Sequence, residues 1–276
     1  MKLKYLGTAA AEGIPALFCK CENCQKARIL GGKNIRTRSQ AIIDDKLLID
    51  FPADTYMHFL QHNLPLSELK HCLITHAHAD HLYPQDLLMR KKGFSNMLDE
   101  SEPMRFYAGQ SGYKMIESIV NQYAMQEIKP ELVEAFKAFV AGGYHVTPVK
   151  ATHDETSSPM LYLIEKDGKT IFYSNDSGNY PEETWEFFEK NPVVCHLISF
   201  DCTEADNAVN YKGHMNLKCC IATRERLIEI GMADESTIFV LNHFSHNGKD
   251  VLFEDFSALA DKHGFLVSYD GLEIEV

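Results

Sequence analysis

Three histidines and one aspartate lie within the six residues from His76 to His81, and they constrain the fold more than any other part of the chain. They follow the apolar run 72–74, which is typical of a buried strand. Side chains alternate along an extended chain, so His76 and His78 point to the same side. A chain reversal would turn Asp80 and His81 towards a second point. Imidazole and carboxylate ligands suit zinc, manganese or iron, so the motif predicts two adjacent metal ions at a strand end.

This His-x-His-x-Asp-His motif resembles the signature of the metallo-β-lactamase superfamily, whose members carry it after a strand of an αββα sandwich. The resemblance implies an α/β fold with mixed sheets and helices on the outer faces. It also implies a downstream histidine, a bridging aspartate and a last histidine, and a strand-like run precedes a residue of the expected type in each case. The implied ligands are His76, His78 and His153 for one ion, Asp80, His81 and His243 for the other, and Asp176 as the bridge.

The order of strand-like and helix-like runs predicts one domain over residues 1–276. No repeat and no Pro- or Gly-rich linker divides the chain. A helical pattern begins near residue 111, so residues 82–140 are expected to form a mostly helical elaboration beside the site. Two further helices are predicted near 217–231 and 251–263.

A second constellation consists of Cys19, Cys21 and Cys24, whose spacing can enclose one tetrahedral zinc ion. A structural zinc ion is normally bound by four protein ligands, so a fourth ligand is required. The cysteines, with residues 7–15 before them, resemble the branch of the superfamily that contains PhnP-type cyclic phosphodiesterases and PqqB-type proteins. In the PhnP type, a histidine three residues after the last active-site histidine completes the zinc site, and that position is His246 here. A loop of reduced cysteines is the other interpretation. The rival fourth ligands are Cys202, Cys219 and Cys220.

His214 resembles a histidine that phosphodiesterases of the superfamily carry near the leaving group. An imidazole can hold or donate a proton near pH 7, which suits a general acid. Asp201 ends a strand-like run and could orient His214, as carboxylates orient catalytic imidazoles. We therefore take His214, Asp201 and the metal ligand Asp80 as the catalytic candidates. Asp50 resembles a family aspartate that supports the metal ligands from outside, although a strand-terminal turn is an equal interpretation.

Together these motifs predict a metal-dependent hydrolase. The first candidate is a phosphodiesterase that acts on a small phosphodiester, either linear or cyclic. Two divalent ions, zinc or manganese, would share a bridging hydroxide that attacks phosphorus while His214 assists the leaving group. Lys212, Arg36 and Arg38 are candidate phosphate anchors, with a solvated surface cation as the alternative for each. An RNA-processing nuclease, an ester, lactone or thioester hydrolase and a PqqB-like oxidative role stay open alternatives.

The charge and the hydropathy of the chain limit the kinds of partner that it is expected to bind. The 276 residues carry a formal net charge of −12 and contain no run of five basic residues, which disfavours nucleic acid as a partner. No apolar stretch reaches the length of a membrane span, so we expect no membrane anchor and a cytoplasmic location. A small-molecule substrate is the expected partner, and a homodimer is an open possibility.

Overall fold

The computed structural model describes residues 1–96, 102–209 and 211–276, and its strands form two seven-stranded sheets. The first sheet contains β1 (Lys2–Gly7), β2 (Gln40–Ile43), β3 (Leu47–Ile49), β4 (His71–Ile74), β5 (Met104–Ala108), β6 (Ile128–Leu132) and β14 (Glu273–Glu275). The second sheet contains β7 (Phe139–Ala141), β8 (Tyr144–Lys150), β9 (Met160–Lys166), β10 (Lys169–Ser174), β11 (Leu197–Asp201), β12 (Ile238–Asn242) and β13 (Leu266–Val267).

Both sheets are mixed. The first has the order β14-β1-β2-β3-β4-β5-β6, in which the strands from β14 to β3 are antiparallel neighbours and those from β3 to β6 are parallel. The second has the order β13-β12-β11-β10-β9-β8-β7, with a parallel half from β13 to β10 and an antiparallel half from β10 to β7. The expected fold class, an α/β sandwich with mixed sheets, is confirmed.

Strand residues are apolar on both faces because each sheet packs on two layers. In β3, Leu47 and Ile49 join the core between the sheets, whereas Leu48 joins the core under the helices of the first sheet. Helices α2 and α3 lie against the first sheet, and α1, α4, α5 and α6 lie against the second. The helices are α1 (Glu22–Leu30), α2 (Thr55–His62), α3 (Gln110–Gln122), α4 (Glu182–Lys190), α5 (Leu217–Glu229) and α6 (Phe253–Asp261).

The strand directions bring the polar strand-end residues to one edge. β8, β10, β11 and β12 run in the same direction, so the segments that follow them leave from the same edge of the second sheet. β3 and β4 are likewise parallel neighbours in the first sheet. Three strand-end residues, Asp50, Asp176 and His243, have positive φ angles of 67°, 57° and 65°. Residues other than glycine rarely adopt this left-handed backbone conformation, and those that do are often found at functional sites.

Residues 82–140, which were predicted to form a mostly helical elaboration, also supply strands to both sheets. Among its described residues, this segment contributes β5 and β6 to the first sheet and β7 to the second, beside α3 and a 3₁₀ helix at Pro84–Arg90. β6 carries Pro130 and charged residues because it is an edge strand, where a missing backbone donor is tolerated. In the described part of the chain, no helix has the length and apolar character required to span a membrane.

A buried hydrogen bond that joins the two sheets gives a test of the sandwich. The hydroxyl of Tyr162 on β9 donates to the carbonyl oxygen of Ile74 on β4 at 2.7 Å, and both residues are fully buried. Tyr162→Phe removes this partner from a buried carbonyl, so the free energy of unfolding should fall by about 1–2 kcal/mol. Urea denaturation of metal-saturated protein measures the change, with Tyr56→Phe on the exposed surface as control. Equal stabilities of the two variants would contradict this role for the hydroxyl.

Candidate metal centre

The first group of possible ligands, which we call the outer cluster, consists of His76, His78, His153 and Asp176. His78 Nδ1 lies 3.0 Å from His76 Nε2 and 3.1 Å from His153 Nε2. Asp176 Oδ2 lies 3.2 Å from His76 Nε2. Ligand atoms bound tetrahedrally to zinc are about 3.4 Å apart, so these four side chains need little adjustment to hold one ion.

The second group, the inner cluster, consists of Asp80, His81, Asp176 and His243. His81 Nε2 lies 3.2 Å from His243 Nε2 and 3.3 Å from Asp80 Oδ2. Asp176 Oδ2 lies 3.0 Å from His81 Nε2 and 3.4 Å from His243 Nε2. All four residues are buried. The structure thus brings together all seven residues that were predicted as ligands, in the two predicted sets.

Asp176 belongs to both clusters, and its surroundings fit a cation. Its side chain is buried, and within the described chain Oδ1 makes no hydrogen bond, although it lies 3.2 Å from His214 Nδ1. Burial opposes the charged carboxylate, but His243 and His76 outweigh it and hold the pKa of Asp176 well below its ordinary value. Burial, reinforced by His81, lowers the pKa of His76 to about 4. An ionised carboxylate and a neutral imidazole are the states that bind a metal ion.

Further side chains, which do not belong to the inner cluster, contact its imidazoles and fix their orientation. His81 Nδ1 lies 2.7 Å from Asp50 Oδ2, and both side chains are fully buried. Asp50 is itself fixed by the backbone N–H of Thr75, which donates to Oδ1 at 2.7 Å. His243 Nδ1 lies 2.8 Å from Thr203 Oγ1. Such outer contacts fix the ring orientation and the tautomer of a metal-binding histidine. Asp50 was predicted from the sequence, whereas Thr75 and Thr203 were missed because threonine is common at strand ends.

The outer cluster has contacts of the same kind. His153 Nδ1 lies 3.2 Å from the carbonyl oxygen of Gly213, and His78 Nε2 lies 3.2 Å from Asp154 Oδ2. Asp154 was not predicted as a site residue. Its signal in the sequence was weak but present, since it is a carboxylate directly after the ligand His153.

The predicted catalytic pair lies beside both clusters. His214 Nδ1 is 3.1 Å from Asp201 Oδ2, and the His214 ring lies 5.1 Å from the His153 ring and 5.9 Å from the His243 ring. Burial disfavours the charged imidazole, but Asp201 and Asp176 outweigh it and raise the pKa of His214 to about 11.

The segment that carries His214 packs on the turn after Asp176. A Cβ added at Gly178 would lie 2.1 Å from the carbonyl oxygen of Lys212, so only glycine permits this approach. Close packing of the two turns brings the segment that carries His214 next to the segment that carries Asp176.

A cleft of about 940 Å³ opens at the outer cluster and includes His78 and His153 in its wall. Lys212 and Lys150 also line it, and Lys150 is paired with Glu183 at 2.7 Å. The cleft is large enough for a small organic substrate. Asp154, Glu155 and Glu183 make much of its polar wall acidic.

Of the three predicted phosphate anchors, only Lys212 lies at this cleft. Arg36 is buried and donates to Thr8 Oγ1 and to the carbonyl oxygen of Ser268 at 2.9 and 2.6 Å, so it is neither an anchor nor a solvated cation. Arg38 is paired with Asp54 at 2.9 Å and donates to the backbone of Ala11. Both arginines fasten the loops near the N-terminus.

The three predicted cysteines meet His246. Cys19 Sγ and Cys21 Sγ each lie 3.5 Å from His246 Nδ1, and Cys24 completes the group. The rivals Cys202, Cys219 and Cys220 do not belong to this group. The side chain of Asn23, at the start of α1, donates to the carbonyl oxygen of His246 at 2.9 Å. The cysteine cluster therefore joins the start of α1 to the segment that follows the metal ligand His243.

Comparison with known proteins agrees with this geometry. The family model described as the beta-lactamase superfamily domain matches residues 47–243. That range is more than half of the chain and contains both metal clusters, so the chain belongs to the beta-lactamase superfamily. This membership supports a metal-dependent hydrolase, and the histidine and aspartate clusters could bind divalent metals.

Solved structures show the same fold over the whole chain. A diphosphatase of the PhnP family is 20% identical with a TM-score of 0.76, covering 100% of this chain and 96% of the other. Zinc-bound PqqB from Methylobacterium extorquens is 20% identical with a TM-score of 0.75, covering 100% of both chains. YhfI from Bacillus subtilis is 18% identical with a TM-score of 0.72, covering 100% and 99%. A search of the curated proteins found no match.

The cysteine cluster gives a prediction about stability. A closed metal site stabilises the folded chain, because the site is not formed in the unfolded chain. Cys24→Ser should lower the melting temperature and the zinc content, since it removes one of four ligands. Cys219→Ser, at a cysteine outside the cluster, is the matched control and should change neither. Differential scanning fluorimetry and elemental analysis measure both effects, and unchanged melting of Cys24→Ser would favour a loop of reduced cysteines.

Proposed function

We propose that this protein is a phosphodiesterase that hydrolyses a small organic phosphodiester with two divalent ions. The observation that carries the proposal is the position of His214. It lies beside the shared ligand Asp176, is oriented by Asp201, and faces ligands of both clusters. A proton donor at this position suits the hydrolysis of an alkyl phosphodiester, because the alkoxide leaving group takes up a proton as its bond breaks.

The outer and inner clusters would hold one ion each, and Asp176 would contact both. When bound, two divalent cations activate water as a nucleophile and offset the charge that develops on phosphoryl oxygens. Zinc and manganese both suit these ligands, since each set combines imidazole with carboxylate. The cysteine cluster with His246 would hold a third, structural zinc ion.

The residues of the chain supply the other steps. The Nδ1 atom of His214 contacts Asp201. Within the described chain, the Nε2 atom of His214 makes no hydrogen bond. Nε2 is therefore the atom that would give a proton to the leaving oxygen. Lys212 at the cleft would bind a non-bridging phosphate oxygen. Asp50 and Thr203 hold His81 and His243 in place while the charge on phosphorus changes.

The charge of the cleft favours a small substrate over a nucleic acid. Asp154 and Glu155 would repel neighbouring phosphates of a polyanion, in keeping with the net charge of −12. The structural likeness to a PhnP-family diphosphatase supports phosphorus as the reacting centre, and the likeness to PqqB keeps an oxidative role as the second candidate. Assays of metal-reconstituted protein on phosphodiesters, phosphomonoesters, lactones and thioesters test the choice. Turnover of the carbon esters alone would reject it.

His214 should matter most when the leaving group is poor. An alkyl alkoxide requires a proton as its bond breaks, whereas nitrophenolate scarcely does. His214→Ala should therefore lose about 10²–10⁴-fold in kcat/KM on an alkyl phosphodiester, and much less on bis(p-nitrophenyl) phosphate. Steady-state kinetics at saturating metal measure both losses, and His145→Ala on the exposed face of β8 is the control. Equal losses on the two substrates would remove the general-acid role.

Lys212 should contribute to substrate binding. A hydrogen bond from a charged group to a phosphate oxygen is worth about 1.5–3 kcal/mol, and exposure reduces this, so Lys212→Met should raise KM about 10-fold. Lys150→Met is the matched control, because Lys150 lines the same cleft but is already paired with Glu183. Its KM should change less. A larger effect at Lys150 than at Lys212 would contradict the assignment.

A further inference from the structure

The two metal clusters differ in how they are enclosed. In the inner cluster, the His81 side chain and its outer partner Asp50 are both 0% exposed. In the outer cluster, the His78 side chain is 38% exposed and its outer partner Asp154 is 45% exposed. His78 and Asp154 both line the cleft that opens at the outer cluster. An ion in the outer cluster is therefore closer to solvent than an ion in the inner cluster.

The contact between His78 and Asp154 has the geometry of a carboxylate that orients a metal-binding histidine. His78 turns Nδ1 towards the outer cluster, 3.0 Å from His76 Nε2, and its Nε2 lies 3.2 Å from Asp154 Oδ2. A carboxylate in this position fixes the tautomer in which Nε2 carries the proton and Nδ1 has the free lone pair. It also raises the basicity of the nitrogen that binds the metal.

Asp154 is itself held in place, although it lies near the surface. Its Oδ1 accepts from the backbone N–H of Thr156 at 3.0 Å, and both oxygens lie 2.8 Å from Thr156 Oγ1. This caps a short 3₁₀ helix, Glu155–Ser157. Asparagine caps as well as aspartate does, so Asp154→Asn keeps the cap through Oδ1 and replaces the charged acceptor that faces His78 with a neutral N–H donor.

We propose that Asp154 is a positioning residue that sets the affinity of the outer cluster for its ion, and that this ion is the exchangeable one of the pair. The proposal rests on the two-ion site proposed above and is independent of the substrate. Without the carboxylate, the His78 ring is free to turn and to change tautomer, so the outer cluster loses one of its three histidines for part of the time. The inner cluster keeps Asp50 and Thr203 and should be unaffected.

Loss of an outer partner of a metal ligand lowers metal affinity about 10–100-fold. Because Asp154 is half exposed, we expect an effect near the lower end of that range. Mn²⁺ is a suitable probe, since it prefers oxygen ligands to thiolates and leaves the cysteine cluster uncounted. The ion is added to protein freed of active-site metal by a chelator, and electron paramagnetic resonance counts the Mn²⁺ that stays free.

The wild-type protein should bind two Mn²⁺ ions. In Asp154→Asn, one of the two should bind about 10-fold more weakly while the affinity for the other and the melting temperature of the metal-free protein are unchanged. Glu155→Gln is the matched control, because it removes the neighbouring carboxylate of the same cleft without touching Asp154, and both affinities should be retained. Wild-type protein that binds fewer than two ions would overturn the two-ion site itself. Two unchanged affinities in Asp154→Asn, or an equal loss in Glu155→Gln, would overturn the role of Asp154 alone.

Discussion

One buried carboxylate, that of Asp176, holds the site together. Its Oδ2 lies 3.0–3.4 Å from nitrogens of His76, His81 and His243, which come from two different segments. Several imidazoles desolvated around one carboxylate are costly unless a cation binds them, because their lone pairs converge on one point. The strand ends place these groups close together, and Asp80 adds a second carboxylate. The contacts outside the clusters then orient the imidazoles towards the points where cations could bind.

The sandwich meets this requirement by ending its strands at the same edge. Asp176, Asp201 and His243 follow or end parallel neighbours of the second sheet, so the spacing between strands sets the spacing between ligands. The left-handed backbone at Asp50, Asp176 and His243 then turns the chain sharply at these positions. Buried partners fix the inner cluster and a half-exposed partner fixes the outer one, which makes the two halves of the site chemically unequal.

The sequence predicted that the residues of the two clusters meet because most of them are histidines, a scarce residue type in this chain, that lie near the ends of apolar runs. It missed the two edge strands β6 and β7. β6 was missed because Pro130 and its charged neighbours hide a strand that has a partner on one side only. Helix α4 was missed although Trp185 and Phe188 are spaced as on one helix face, since nine residues give a short pattern. The burial of Arg36 could not be predicted from the sequence, because it depends on partners that lie far away in the sequence.

Anomalous X-ray scattering at the zinc absorption edge, from crystals of the protein grown with zinc, tests the shared role of Asp176 most directly. Besides a peak at the cysteine cluster, two peaks should both contact the Asp176 carboxylate, one among His76, His78 and His153 and one among Asp80, His81 and His243. Ions of such a pair are about 3.5–4 Å apart. A single peak at the histidine motif, or two peaks of which only one touches Asp176, would contradict the shared role of Asp176.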